Sequence, residues 1–219
     1  PDVRNALSAA AMRALAGALR SASADPGCRC VVLESAEPGM FCSGFRLGAG
    51  GAEELRAGEA ADAAEVLYQA LASCPVPTLA AVDGAAVGGG VELALRCDLR
   101  VGSERASFAV PALRHGLPYK PAGIAHLLRV AGSSNAAWLL LTGATIDAAA
   151  ARQAGLLQQV EADLPGAVER ICRRLLSVSR PLLEYTSKAV RGEGDPSSLY
   201  RAVLESEEYG AALARIARG

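Results

Sequence analysis

The sequence predicts an α/β fold in which parallel strands alternate with helices, followed by a helical C-terminal region. Short apolar segments at 28–35, 78–82 and 98–103 are typical of buried strands, and segments with helical spacing separate them. Residues 164–219 have helical spacing throughout, interrupted by Pro and Gly. Strands and helices that alternate along a chain favour a parallel sheet covered by helices.

The elements before the first strand pair are predicted from spacing and capping. Residues 8–22 have helical spacing, and Ser8 is suited to cap that helix. Strand 28–35 leads into a glycine-rich loop at 36–51, and a second helix is predicted at 52–73.

A second strand and the helix after it are predicted in the middle of the chain. Pro75 and Pro77 mark the change from helix to the strand at 78–82. Three consecutive glycines then precede a helix at about 89–97, and the strand 98–103 follows.

The next part of the chain is predicted to form short helices separated by glycines. These helices cover 121–132, 134–143 and 145–155, and a late strand follows at 156–162. Trp138 lies in an apolar helix and is expected in the core.

Composition excludes several classes of function. The net charge is −1 and no basic tract is present, which argues against nucleic acid as a partner. No apolar run approaches about 18 residues, so no membrane span is expected. The six cysteines lack CxxC pairs, and with two histidines they predict no metal cluster. We expect free thiols, with Cys42 and Cys97 in the core, in a cytoplasmic protein.

The stretch Gly88-Gly89-Gly90, followed by Glu92, carries the strongest local signal. A dinucleotide fingerprint fails because Leu93 stands where its last glycine belongs, and a P-loop fails because no lysine follows. Glycines at the start of a helix can instead expose backbone N–H groups to a ligand oxygen, with Glu92 near enough for acid–base chemistry. The alternative is that the glycines only permit close packing.

Four segments resemble the crotonase superfamily, the enoyl-CoA hydratase/isomerase family. They are "RNALS" (4–8), "MFCSGFRL" (40–47), the stretch 75–101 that contains "GGGVEL", and 142–160. The resemblance implies an α/β fold with a crotonase-like ββα spiral core over 1–160, from which the N-terminal strands of the family are missing. It also implies a helical C-terminal trimerisation region over 161–219, and a homotrimer or hexamer.

The resemblance also implies an acyl-CoA thioester as substrate and assigns roles by position. Phe45 and Gly89 match the residues whose N–H groups hold the thioester oxygen, and Glu92 matches the first of two hydratase glutamates. Further matching positions are expected to bind the CoA thioester: Arg4, Ala6, Ser43, Gly44, Arg46, Leu47, Gly88, Pro111 and Ala112. No metal or redox cofactor is implied, because the thioester itself accepts the electron pair.

The sequence departs from the family pattern at the second glutamate. Ala112 occupies that position, and alanine can neither deliver water nor donate a proton. The loop after it, "RHGLPYKPAG", brings His115, Tyr119 and Lys120 to a stretch that is glycine-rich in the family. Tyr119 or His115 is either a replacement proton donor or an ordinary packing or surface residue, and Lys120 or Arg46 in the pocket would instead favour a substrate with a carboxylate.

The resulting expectation is an enzyme of the enoyl-CoA hydratase/isomerase type in fatty acid metabolism, with one glutamate as acid and base. A decarboxylase or another C–C or C–X enzyme acting on a CoA or carrier-protein thioester is the first alternative. A non-catalytic CoA-binding or assembly homologue is the second. One fold of this kind supports many reactions, so fold alone does not choose among them.

Overall fold

Two four-stranded sheets form the centre of the computed structural model, which describes residues 4–46 and 51–218. The first sheet has the order β1-β3-β5-β8 and the second β2-β4-β6-β7. The strands are β1 (Val31–Leu33), β2 (Met40–Cys42), β3 (Thr78–Val82), β4 (Ala85–Val87), β5 (Leu99–Ser103), β6 (Ser107–Ala109), β7 (Thr145–Asp147) and β8 (Gln159–Glu161).

Helices surround the two sheets and make up the C-terminal part of the described chain. They are α1 (Ala9–Ala24), α2 (Gly51–Arg56), α3 (Glu59–Ala72), α4 (Gly89–Leu95), α5 (Pro121–Thr142), α6 (Ala148–Gln153), α7 (Leu164–Leu176), α8 (Arg180–Arg191), α9 (Pro196–Leu204) and α10 (Glu207–Ile216). A 3₁₀ turn spans Ala112–His115.

Successive strand pairs place one strand in each sheet before a helix returns the chain. The pairs β1–β2, β3–β4 and β5–β6 follow this rule, and helices come after each pair. All neighbours in the first sheet are parallel, whereas β7 runs antiparallel to β6 in the second. The α/β fold class with parallel strands is therefore confirmed, and its repeating ββα order is that of a spiral.

The core lies between the sheets and helices α1, α3 and α4. Met12 of α1 and Leu67 and Leu71 of α3 are completely buried where the two helices pack together. Every residue of α4 is buried, so this short helix lies inside the molecule. Cys42 and Cys97 are buried as expected of core thiols.

Several predicted elements are confirmed at their ends. Ser8 caps α1, because its hydroxyl accepts a hydrogen bond of 3.1 Å from the Ala11 N–H. The strand β3 has the predicted bounds 78–82, and α4 and β5 begin within a residue of their predicted starts.

Several predictions differ from the structure. The helix expected at 145–155 begins instead with the strand β7, and α6 follows it. The helix expected at 52–73 is divided into α2 and α3, because Gly58 adopts a left-handed conformation with φ +77°. The helices expected on either side of Gly132 form one element with a kink there (φ 73°). Trp138 is 58% exposed, so its assignment to the core is wrong; the apolar face of α5 contacts the core through smaller residues.

The helices that follow β8 are joined to the α/β core by arginines. Arg191 of α8 contacts Asp98 through Nη2 and Oδ2 at 2.6 Å, and also donates to the carbonyls of Ala72, Cys74 and Val76. The division of the chain at 160/161 and the trimerisation role of the second part stay predictions.

Candidate active site

The loop after β2 is held against the N-terminal segment by backbone hydrogen bonds. The Leu7 N–H donates to the Gly44 carbonyl at 2.7 Å, and the Arg46 N–H donates to the Leu7 carbonyl at 3.1 Å. Because successive N–H groups of an extended chain point to opposite sides, the N–H of Phe45 points away from Leu7. Gly44 has φ +89°, and a Cβ there would lie 2.7 Å from the Val87 carbonyl oxygen.

Two of the three glycines at the start of α4, Gly88 and Gly90, have a structural reason, whereas a Cβ at Gly89 would make an ordinary contact. Gly88 has φ 52° and ψ −111°, a conformation that side chains disfavour. A Cβ at Gly89 would lie 3.4 Å from the Phe45 nitrogen, and one at Gly90 would lie 2.3 Å from the Cys42 carbonyl oxygen. The glycines therefore let α4 begin directly against the loop that carries Phe45.

Two backbone N–H groups meet at this contact. Gly89 is the first residue of α4, so its N–H has no acceptor within the helix. The Gly88 N–H is used differently, because it donates to the Ala109 carbonyl at 2.8 Å. The Phe45 nitrogen and Gly89 are therefore neighbours, and two neighbouring N–H donors are the arrangement that general chemistry requires to hold an oxygen that gains negative charge.

Glu92 lies in the first turn of α4 and is 4% exposed. Its Oε1 accepts from Nη2 of Arg96 at 3.1 Å, one helical turn further on. The guanidinium of Arg96 also lies over the ring of Tyr68, with Cζ 4.7 Å from the ring centroid. The other carboxylate oxygen of Glu92, Oε2, faces Gly123, and a Cβ added at Gly123 would lie 3.0 Å from it. One carboxylate oxygen is therefore fixed by a cation and the other faces the start of α5.

The loop before α5 brings one polar side chain to the same place. The Tyr119 hydroxyl donates to the Gly88 carbonyl at 3.2 Å, and its Cε1 would lie 2.8 Å from a Cβ at Gly123. Burial raises the pKa of Tyr119, and the charge of Glu92 raises it further. Lys120 turns away and donates to the Ala61 carbonyl at 3.1 Å, whereas His115 is exposed. Of the three residues in this loop, Tyr119 is the one that joins the glycine cluster.

His126 connects α5 to the end of α4. Its Nε2 lies 2.8 Å from the Leu95 carbonyl oxygen, and its Nδ1 lies 2.6 Å from Nη2 of Arg129. Because arginine only donates, Nδ1 must accept and Nε2 must carry the proton in this arrangement. Burial, assisted by nearby arginines and opposed by the hydrogen bond to Leu95, lowers the pKa of His126 to about 4. The ring is therefore neutral near pH 7 and joins α5 to α4, the helix that carries Glu92.

The expected binding residues are distributed as follows. Arg4 is exposed, and its carbonyl accepts from the Ser43 N–H at 3.2 Å. Ala6 and Arg46 are half-buried on either side of the Leu7–Phe45 pairing. Leu47 lies outside the described residues.

Pro111 and Ala112 are both half-buried where β6 leads into the 3₁₀ turn. The Ala112 carbonyl accepts from the Leu117 N–H at 3.0 Å, so this residue contributes a backbone bond and a methyl group. The structure brings Gly44, Phe45, Gly88 and Gly89 together; the roles expected of all these positions stay predictions.

Two residues that sequence reasoning missed support the site. Arg96 follows Glu92 by four residues, a spacing that signals an ion pair on a helix. Asn5 donates from Nδ2 to the Ser35 hydroxyl at 2.6 Å and to the carbonyls of Met40 and Phe41. Local spacing reveals the Arg96 contact, whereas the Asn5 contacts span 30 or more residues and leave no local pattern.

Two features are absent from the part of the chain that the structure describes. No helix among residues 4–46 and 51–218 is long and apolar enough to cross a bilayer. Within the same ranges, no group of three or more His, Cys, Asp or Glu side chains is arranged to hold a metal ion.

Comparison with known proteins defines the class to which this fold and site belong. The family model "Enoyl-CoA hydratase/isomerase" matches residues 1–204. A crystal structure of enoyl-CoA hydratase from Bacillus anthracis superposes with a TM-score of 0.90 at 26% identity, over 99% of this chain and 88% of that one. The chain belongs to the enoyl-CoA hydratase/isomerase family, which confirms the resemblance and the crotonase-like fold.

Curated relatives give the same result. The Mycobacterium leprae protein named "Probable enoyl-CoA hydratase echA12" is 34% identical over 210 residues, which are 91% of this chain and 71% of that protein. The Arabidopsis thaliana protein named "Probable enoyl-CoA hydratase 2, mitochondrial" is 32% identical over 163 residues, 72% of this chain. The match spans 52% of the Arabidopsis protein, about half its length.

Proposed function

We propose that this protein binds an acyl-CoA thioester and stabilises its enolate while Glu92 moves a proton. The observation that carries the proposal is the meeting of the Phe45 and Gly89 N–H groups one helical turn from a buried carboxylate. Two fixed donors stabilise an oxygen on which charge develops more than they stabilise the neutral carbonyl. Hydration or isomerisation of a 2-enoyl-CoA is the reaction that this arrangement supports best.

The two carboxylate oxygens of Glu92 have different roles, because their contacts differ. Arg96 holds Oε1, so Oε2 is the oxygen that removes or returns a proton next to the thioester. In isomerisation one carboxylate suffices, because it takes a proton from one carbon and returns it to another. In hydration the same carboxylate must activate water at Cβ and then supply the proton at Cα, since Ala112 offers no acid.

Decarboxylation is the second candidate, and the absence of a carboxylate at Ala112 favours it. Loss of CO₂ from a malonyl-type thioester leaves an enolate directly, so the two N–H donors are sufficient in principle. The position of Lys120 argues against it, because its Nζ is bonded to the Ala61 carbonyl instead of being available to a substrate carboxylate. A binding protein without turnover would retain the thioester contacts alone.

The test is turnover of a short and a medium 2-enoyl-CoA in heavy water, followed by mass spectrometry. Gain of one water, lost in Glu92→Gln, supports hydration by one carboxylate. Deuterium uptake without added water, also lost in Glu92→Gln, supports isomerisation. The matched control is Glu104→Gln, because Glu104 is an exposed acid after β5. Tight CoA binding with neither change contradicts the proposal, and malonyl-CoA is then the next substrate to assay.

A homotrimer or hexamer, a cytoplasmic location and a role in fatty acid metabolism complete the proposal. They rest on family resemblance and composition. Coenzyme A enters as part of the substrate, and the proposed chemistry uses no metal or redox cofactor.

A further inference from the structure

The amide between Gly88 and Gly89 has a hydrogen-bond partner outside α4 at its carbonyl end. Its carbonyl oxygen belongs to Gly88 and accepts the Tyr119 hydroxyl at 3.2 Å. Its N–H belongs to Gly89, whose nitrogen lies beside the loop of Gly44 and Phe45 and has no acceptor within α4. Because a peptide unit is planar and trans, the two ends point in opposite directions and rotate together. A group that holds the oxygen therefore also aims the N–H.

We propose that Tyr119 is a positioning residue, which orients and polarises the Gly88–Gly89 amide so that the Gly89 N–H is aimed at the thioester oxygen. The proposal rests on the proposed function, because it assigns that N–H to an enolate-binding role.

Tyr119 adds a support from outside α4 to this amide. Glycine flanks it on both sides, and Gly88 has φ 52° and ψ −111°, so no side chain restricts its rotation. The Gly88 carbonyl also accepts from the N–H groups of Val91 and Glu92, at 3.1 and 3.2 Å. Both of these bonds come from the helix itself, whereas the Tyr119 bond comes from a different segment. A donor to the carbonyl also withdraws electrons from the amide and makes its N–H a stronger donor.

Tyr119 is itself held in place. Its ring packs over Gly123, where a Cβ would approach Cε1 to 2.8 Å, and the next residue, Lys120, is tied to the Ala61 carbonyl. Burial raises the pKa of Tyr119, so the hydroxyl keeps its proton and donates throughout the neutral range. The hydroxyl bonds the carbonyl end of the amide, so its proposed action on substrate passes through the backbone.

The experiment compares wild type, Tyr119→Phe and Tyr185→Phe with butyryl-CoA carrying ¹³C at its thioester carbonyl. Phenylalanine keeps the ring over Gly123 and removes only the hydrogen bond. Tyr185 is the matched control, since it is another half-buried tyrosine, which packs on Tyr200 of α9 with a centroid distance of 5.9 Å. Three quantities are measured: the dissociation constant, the infrared stretch of the bound carbonyl, and the rate of deuterium exchange at Cα.

We expect wild type and Tyr185→Phe to shift the carbonyl stretch to lower wavenumber by the same amount. Tyr119→Phe should bind butyryl-CoA within about twofold, show a smaller shift, and exchange deuterium roughly tenfold more slowly. Tenfold is below the effect of deleting an oxyanion donor outright, since the Gly89 N–H itself remains. Incorporation of 2,3-difluorotyrosine at position 119, a stronger donor, should enlarge the shift.

The outcomes separate the two proposals. No shift and no exchange in wild type contradict the proposed function. A wild-type shift that Tyr119→Phe retains in full overturns the positioning role, even where exchange slows, because the hydroxyl would then act on substrate directly or only on folding. If Tyr119→Phe loses the carbonyl shift but also melts at a lower temperature than wild type, the difluorotyrosine variant decides. A carbonyl shift in that variant equal to that of wild type also overturns the positioning role of Tyr119.

Discussion

Arg96 and Glu92 form an ion pair across one turn of α4, with Nη2 and Oε1 separated by 3.1 Å. Glu92 is 4% exposed and the Arg96 side chain is 22% exposed, so the carboxylate is buried and its partner retains partial contact with solvent. A buried carboxylate without a counter-charge is strongly destabilising. Arg96 therefore supplies the counter-charge that a carboxylate at this buried position requires.

Replacing Arg96 tests this dependence. We expect Arg96→Met to lower the free energy of unfolding by about 2 to 3 kcal/mol, because it leaves the charge of Glu92 unpaired while one partner keeps some solvent access. The double variant Arg96→Met/Glu92→Gln should recover most of the loss, since no buried charge remains. Urea unfolding of the four proteins in this cycle gives the coupling energy. A double variant no more stable than Arg96→Met would show that the pair is not the cause.

Gly123 is required for the space beside Glu92. A methyl group there would lie 2.8 Å from Tyr119 Cε1 and 3.0 Å from Glu92 Oε2, so one of these side chains must move. We expect Gly123→Ala to destabilise the protein by about 1 to 2 kcal/mol and to reduce turnover more than substrate binding.

Gly17→Ala is the control for helix propensity, because nothing lies within 4 Å of its added Cβ in α1. In Gly17→Ala the free energy of unfolding should rise by about 0.5 to 1 kcal/mol, because alanine stabilises an exposed helix interior relative to glycine. Thermal unfolding measures the stability of the two variants, and steady-state kinetics measures their turnover and substrate binding. Equal behaviour of the two variants would contradict the steric explanation.

Ala112 offers a gain-of-function experiment. If hydration is limited by the missing second acid, Ala112→Glu should raise hydration of a 2-enoyl-CoA by about tenfold or more, as a positioned general acid does. Ala112→Gln has nearly the same shape without the acid and should give no increase. Water addition is followed by mass spectrometry. An equal rate in both variants would indicate that position 112 does not face the reacting carbons.

His126 predicts a pH dependence of stability with a definite sign. Its pKa is about 4 in the folded protein and about 6.5 in an unfolded chain, so folding favours the neutral ring. The stabilisation is fully present above pH 6.5 and is lost as the pH falls from there through 4, because the unfolded state then binds the extra proton. Since the ring is only half-buried, solvent screening reduces the effect to roughly 1 to 2 kcal/mol.

The measurement is the free energy of unfolding of wild type and His126→Gln between pH 4 and 7. Glutamine can donate to Leu95 and accept from Arg129, but it does not titrate in this range. The advantage of wild type over His126→Gln should shrink as the pH falls, whereas His115→Gln, at an exposed position, should leave the slope unchanged. A constant advantage would mean that His126 is not the titrating group.

Sequence reasoning found the elements with strong local signals. Ser8 caps α1 as expected, and β3 has the predicted bounds, because capping and apolar runs act over a few residues. Strands β2, β4, β6 and β7 are not predicted as separate strands: β2 falls in a predicted glycine-rich loop, and β7 falls in a segment with helical spacing. Their pairing depends on contacts between distant parts of the chain.

The same distinction applies to the site. Glycine spacing and family motifs indicated Phe45, Gly89 and Glu92, whereas the partners of Tyr119 and Lys120 were left open. The hydroxyl of Tyr119 reaches a carbonyl 31 residues earlier, and Lys120 reaches one 59 residues earlier. Contacts at that separation are set by the packed fold and not by local sequence.

Arg191 joins α8 to the segment between α4 and β5, next to the helix that carries Glu92. Its guanidinium joins α8 to Asp98, whose Oδ2 also accepts from the Thr78 N–H at 2.7 Å. Asp98 lies between α4 and β5, so the same cluster ties together the start of β3, the end of α4 and the distant helix. Strain applied to α8 would therefore reach the helix that carries Glu92, and shortening the chain before Arg191 should loosen that helix as well.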